Sequence, residues 1–289
     1  MYNAANKLKT LATTTLAAAA LTLGSCGSGT DNGAHALADS IRQSIDSGHY
    51  TQAIALIDTL NARYPDSIAL RKTMMAEKAR AQVLQAQSQL PQWTMRADSL
   101  EVAIAEAGKE FVTKQTSAAM TPYLVHRDAA ATDLAANRTA IQPRVVDADT
   151  PWLIAATLVS AKAPATVSLN DATGNILAQA TISADACVHS DGTWRFTIGP
   201  EAAAPFAQAL EANTGNSATI TITDTAGKAH AVAISPTLAH AITASEHLAA
   251  LRTQQFHTLA TCEKLQRRLQ LARDQQANDG QATSSLPTE

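Results

Sequence analysis

The apolar residues of this 289-residue chain change their period twice. From Leu37 to about Phe111 they recur at helical spacing, as in Leu37, Ile41 and Ile45, then Ala53, Ile54, Ile57 and Leu60. From about Thr121 to Ser235 they alternate with polar residues, and from Pro236 to about Gln276 the helical spacing returns. A period of 3.6 and a period of 2 bury different faces and cannot share one element. The last stretch has no internal Pro or Gly, and at 1.5 Å per residue about 40 residues span ~60 Å. Its stripe of Leu248, Leu251, Phe256, Leu259, Cys262, Leu265 and Leu269 needs a partner. The expected class is α+β: a helical hairpin and long, coiled-coil-like helices, with an inserted small antiparallel β-sandwich-like domain.

Within the helical region, the Gly of "DSGHY" (46–50) ends one helix, and Pro65 of "RYPDS" ends the next. Asp66 can cap a third, which runs to about Leu90, where Pro91 is expected to break it; a further helix covers 95–111. The segment "SGHYTQAIALIDTLNARYPDS" resembles the helix pair of a tetratricopeptide repeat, through Gly48, Tyr50, Ala53, Ile54 and Pro65. It is one copy, and a free-standing solenoid needs about three. Met74 and Met75 read as core filling before they read as an adaptable binding patch.

In the middle third, strands are expected near 138–146, 152–160, 165–170, 176–183, 193–198, 217–223 and 229–235. Turn signals such as "DATGN", "HSDGT" and "DTAGK" separate them, and "PEAAAPFAQALEANTGN" reads as a helical crossover. "ANDGQATSSLPTE" at the end has the composition of a disordered tail.

The first residues have a different logic. Lys7 and Lys9 precede "LATTTLAAAALTL", an apolar run of 13 residues of which four are Thr. About 20 apolar residues are needed to cross a bilayer as a helix, so the run suits a cleaved leader better than an anchor. It ends in Leu23-Gly24-Ser25-Cys26, which resembles the bacterial lipobox. That resemblance implies acylation of Cys26, the lipid-attachment residue, which becomes the new N-terminus. One acyl chain holds a protein only marginally, and stable anchoring needs two or more. The expected layout is a leader at 1–25, a tether at 26–34, the helical region at 35–120, the β domain at 121–235, the terminal helix at 236–276 packed back on the helical region, and a tail at 277–289.

Loss of Lys7 and Lys9 with the leader takes the formal charge from −3 to −5. That mild acidity argues against a nucleic-acid partner, which needs a basic face. The whole order of elements resembles a group of uncharacterised Bacteroidota lipoproteins. It does so through the lipobox, Lys109 to Val112 ("KEFV"), Tyr123-Leu124-Val125-His126 ("Y-x-V-H") and the glutamine-rich terminal helix. The resemblance implies an outer-membrane cell-envelope location, with the periplasmic or surface face left open, and a shared architecture. It transfers no activity, ligand or functional residue.

Catalytic motifs are absent from the sequence: no G-x-S-x-G, H-E-x-x-H, Walker loop or G-x-G-x-x-G occurs. His240 and His247 share a helix face, but two turns, roughly 10 Å, separate them, too far for one ion. His189-Ser190-Asp191 has the composition of a triad but sits in a hairpin turn. Asp147 and Asp149 offer a calcium edge or a solvated loop. Cys187 and Cys262 read as free thiols before they read as a disulfide. Asp39-Ser40, Asp58-Thr59, Asp66-Ser67, Asp98-Ser99 and Asp224-Thr225, each before an apolar residue, match a short O-glycosylation signal or helix caps. The expectation is therefore a non-enzymatic scaffold or protein-interaction module, with no cofactor and no metal, held to the membrane by acyl chains and meeting an envelope protein. The alternative is an accessory binder of a glycan or peptide around Trp152 and Trp194.

Overall fold

The computed structural model of the chain describes residues 29–115, 121–134, 137–146 and 151–284. They form an α+β protein with five helices and two antiparallel sheets. The chain divides into two compact units, with the boundary between Gln85 and Ala86, inside a helix.

The first unit holds α1 (Gly29–Asp46), α2 (Tyr50–Arg63) and the beginning of α3 (Ile68–Gly108). Gly48, at φ 77°, turns α1 into α2 in the left-handed region that a side chain disfavours. The His49 N–H returns to the Ser44 carbonyl at 2.8 Å, which closes the end of α1. Ile41, Ile45, Ala53, Ile57, Leu60, Met74 and Ala81 fill the core between the helices. The repeat-like segment thus supplies one helix, α2, and its two turns, rather than a helix pair. The expected tether is corrected from Gly29 onward. Residues 29–34 are helical; Ala34 is fully buried, and a Cβ on Gly33 would lie 2.6 Å from the Tyr64 hydroxyl.

Pro91 does not break the helix: α3 is continuous from Ile68 to Gly108. A mid-helix proline withdraws one N–H and costs about 3 kcal/mol. Buried residues on both sides of it, Ala86 before and Ala97 and Leu100 after, hold the helix together.

The second unit follows. Its strands are β1 (Phe111–Lys114), β2 (Tyr123–His126), β3 (Ala140–Val145), β4 (Trp152–Val159), β5 (Pro164–Asp171), β6 (Ile176–Thr181), β7 (Cys187–Ser190), β8 (Thr193–Ile198), β9 (Ala218–Asp224) and β10 (Ala229–Ile234). One sheet has the order β1-β2-β3-β4-β8-β7, the other β10-β9-β5-β6. The seven expected strands are present within a few residues. The short β1, β2 and β7 are additional, and β1 places 111–114 in the sheet rather than in the helical region. Four-residue strands are too short to show alternation.

Both sheets and α4 (Pro200–Ala212) bury one common core. Ile154, Ala156 and Leu158 of β4 meet Phe196 and Ile198 of β8, Val167 and Leu169 of β5, and Ile220 and Ile222 of β9. The fully buried Phe206 lies on the α4 stripe of Ala203, Phe206, Ala207 and Leu210. The final helix α5 (Pro236–Ser284) is longer than its apolar period and takes in 277–284, which composition assigns to the tail. Its apolar stripe is buried only in part. Its first turns bury Ala241, Ile242, Ser245, Leu248 and Ala249. These turns meet α4 and the strands β2, β3, β4 and β10. Further along, Cys262 and Leu265 are buried while Phe256 and Leu259, at 66% and 51%, are exposed.

Asp224, only 3% exposed, ties the two sheets together. Its carboxylate accepts from Ser160 Oγ at 2.8 Å, from the Ala226 and Lys228 N–H groups at 3.0 Å, and from His230 Nε2 at 3.2 Å. The Ser160 hydroxyl leads these donors in holding its pKa down to about 2 from 3.8. The Thr173 and then Asn175 side chains do the same for Asp171 in the β5–β6 turn. A carboxylate depressed in the folded state contributes stability that is whole above the unfolded value and lost as pH falls through the folded one. Urea midpoints are therefore expected to fall between about pH 4 and pH 2, and Asp224→Asn to flatten part of that slope. In the same assay, Met74→Ala should cost about 2–5 kcal/mol, because Met74 is fully buried. Met75→Ala should stay within ~0.5 kcal/mol, because Met75 is 66% exposed.

Candidate functional site

The six-stranded sheet has one face on the shared core. Strand alternation turns Gln142 and Arg144 of β3, Ala155 and Thr157 of β4, and Arg195 and Thr197 of β8 to the other face. The register sets Thr157 opposite Arg195 and Gln142 opposite Ala155. Alanines among longer side chains leave room there, and residues 130–134 wall it in. The result is a cavity of about 660 Å³.

The wall is held by a specific polar network. Gln142, only 2% exposed, donates its amide to the Ala129 carbonyl at 3.1 Å and the Thr132 carbonyl at 3.0 Å. Lys114 Nζ donates to the Ala130 carbonyl. Gln142 Oε1 in turn accepts from Arg144 Nε at 3.0 Å, and the Arg144 guanidinium lies 4.2 Å over the Tyr123 ring. One edge of that fork is thereby fixed. Burial pushes the Arg144 pKa down from its ordinary value, and the Tyr123 charge partly opposes it. An arginine stays charged regardless.

Three cations, Lys114, Arg144 and Arg195, line the cavity against one carboxylate, Asp133. Among the described residues, no carboxylate pairs with Arg144 or Arg195. Gln142 takes one of the five Arg144 N–H donors, and an anionic group in the cavity can take others. The arrangement can bind an anion.

A second constellation lies where α3 ends and α5 begins. Glu110 stands between α3 and β1, His126 ends β2, and His240 sits in the second turn of α5. In the register that pairs Leu124 with Val145, His126 stands opposite Pro143, which has no N–H to extend the ladder. The strand stops there and enters a 3-10 turn at Arg127. Glu110 Oε2 lies 3.2 Å from His126 Nε2 and 3.5 Å from His240 Nε2. His126 and His240 stack edge to face, with centroids 5.0 Å apart.

Several residues singled out in the sequence have structural roles. Trp152 is 4% exposed and belongs to the core, so it offers no platform. Trp194 is half-buried against that core, stacks on His189 at 4.5 Å, and keeps Nε1 buried without an acceptor among the described residues. Asp191 and Gly192, at φ 52° and 74°, make the expected hairpin turn, and Ser190 Oγ donates to Asp191 rather than to a histidine. Cys187 and Cys262 are both free, and burial pushes the Cys187 thiol up. Ser40, Thr59 and Ser99 lie inside helices and donate to carbonyls four residues back, so they are not caps. His247 lines a cavity with His240, but the partners of His240 are Glu110 and His126. Cys26, Asp147 and Asp149 lie outside the described residues.

Nothing in the sequence marks the cationic cleft as a site, since its three cations are 30 and 51 residues apart along the chain and lie on three strands. Comparison with family models, curated proteins and solved structures finds no match. Arg144→Met separates binding from structure. It removes a desolvated charge that meets no carboxylate among the described residues, together with its bond to Gln142 and its stack on Tyr123, so stability in urea should stay within about 1 kcal/mol of that of the unaltered chain.

Proposed function

We propose that this chain is a lipid-anchored, non-enzymatic binding protein of the bacterial cell envelope. Its recognition surface is the cationic cleft on the six-stranded sheet. The observation that carries the binding role is the pair of arginines, Arg144 and Arg195, that meet no carboxylate among the described residues in a cavity of about 660 Å³. The anchor rests on the leader pattern that ends at Cys26. No helix among the described residues is long and apolar enough to cross a membrane.

The ligand that suits the cleft is a carboxylate- or phosphate-bearing segment of a peptide or glycan. The fixed fork of Arg144 matches planar anions bidentately, and the exposed Thr197 can bond to a hydroxyl or amide beside them. Acyl chains at Cys26 would hold the module at the outer membrane, where an envelope protein or glycan carries such a group.

Calorimetric titration of the chain with a short Asp/Glu peptide and with a uronic-acid oligosaccharide tests the binding role. One of the two should bind, weaken as salt rises, and lose roughly tenfold or more in affinity in Arg144→Met and in Arg195→Met. Binding that both variants leave intact, or no binding of either probe, sinks the role. The anchor is read separately, from the mass of the N-terminal peptide of the membrane fraction, which should begin at an acylated Cys26.

A further inference from the structure

We infer that Glu110, His126 and His240 form a binding site for a borderline-soft divalent ion, Zn²⁺ foremost. Each residue offers one ligand atom, and the three atoms lie within 4.8 Å of one another. Around a tetrahedral zinc with bonds of about 2.0–2.2 Å, neighbouring ligand atoms stand about 3.3 Å apart. Two sides of the triangle, 3.2 Å and 3.5 Å, already have that length. Only the His126–His240 side has to adjust, and His240 stands on an exposed side chain that can turn. Two imidazoles and one carboxylate select Zn²⁺ over Mg²⁺ or Ca²⁺, which need six or more oxygens.

The surroundings agree with a cation. A cavity of about 670 Å³ opens beside Glu110 and His240, and Glu106 and Glu211 line it with them. A zinc held by one carboxylate keeps a net positive charge, which Glu211 offsets and Glu106, already paired with Lys109 Nζ, offsets in part. The same opening leaves the fourth coordination position to solvent or to an outside donor.

His126 also has a second partner in place. Its Nδ1 accepts from the Asp128 N–H at 3.3 Å, so in the neutral ring Nε2 carries the proton and donates it to Glu110. Binding a metal through Nε2 moves the ring proton, through solvent, to Nδ1. There it replaces the bond from the Asp128 N–H, and the Asp128 carboxylate, 3.7 Å away, can turn in to receive it. A carboxylate behind a ligating histidine fixes the tautomer and raises the basicity of the ring. The three ligands come from the α3–β1 turn, the end of β2 and the start of α5, so the ion would clamp the terminal helix to the β1–β2 hairpin.

The test uses the full chain with Cys26→Ser, freed of metal by chelator and titrated with Zn²⁺ by calorimetry and with Co²⁺ by visible absorption. One ion per chain is expected, with a rise in melting temperature on binding. His126 is 4% exposed and its replacement risks the fold. The readout therefore rests on His240→Gln and Glu110→Gln, checked for native circular dichroism. Each should weaken binding by roughly a hundredfold, and Asp128→Ala by roughly tenfold. Cys187→Ser and His189→Gln should leave affinity unchanged. Absence of a stoichiometric site in the starting chain, or equal affinity in His240→Gln and Glu110→Gln, overturns the inference. Neither result bears on the cationic cleft, which shares no residue with this site.

Discussion

The second unit depends on one constraint: two antiparallel sheets have to bury their inner faces against each other with little bulk to do it. Aromatic residues make up only 4% of the chain, so the core is built mostly from Ile, Leu, Val and Ala, with Phe111, Trp152, Phe196 and Phe206 among them. Small side chains fill a core only if the layers approach closely and a third layer covers what they leave open. Helix α4 and the first turns of α5 supply that layer. Asp224 fixes the approach, because one carboxylate ties the end of β4, through Ser160, to the β9–β10 turn.

The same economy produces the cleft. Thr157 on β4 is fully buried although it faces away from the core, and its hydroxyl donates to the Arg138 carbonyl at 2.8 Å. Gln142 holds the wall of the cleft by donating two bonds to its carbonyls and spends its remaining acceptor on Arg144. One buried amide therefore builds the wall and orients the cation. Alanine at 155 is too small to fill the space under the wall, so packing on one face of the sheet is completed and on the other is left as a cavity. A fold that needed stability alone would fill that space with an apolar side chain.

The Glu110–His126–His240 cluster arises from a different local cause. Pro143 ends the β2–β3 ladder at the point where His126 would be paired, and the chain turns away with the imidazole still buried. Helix α5 then starts above it, and its second turn brings His240 against the ring. Two histidines and a carboxylate meet because a strand stops short and a helix begins where it does.

Periodicity in the sequence determined most of the architecture: the helices at both ends, seven of the ten strands among the described residues, and the hairpin at Asp191-Gly192, while of the two methionines read as core filling Met74 is buried and Met75 is exposed. These follow from local rules, since a face that recurs every 3.6 or 2 residues has to be buried as a helix or a strand. Where local rules disagreed with packing, packing decided. The helix runs through Pro91 because buried residues flank it on both sides. Residues 29–34 are helical because Ala34 and Gly33 have a surface to pack on. β1, β2 and β7 exist because a neighbouring strand completes their hydrogen bonds, which four residues cannot announce by pattern. Both sites belong to the tertiary structure alone. Lys114, Arg144 and Arg195 are tens of residues apart and carry no motif, while Glu110 and His126 lie in the KEFV and Y-x-V-H segments, which do not by themselves point to His240. Only strand register and the start of α5 bring them within reach of one another, and register is a property of the whole sheet, not of any segment in it.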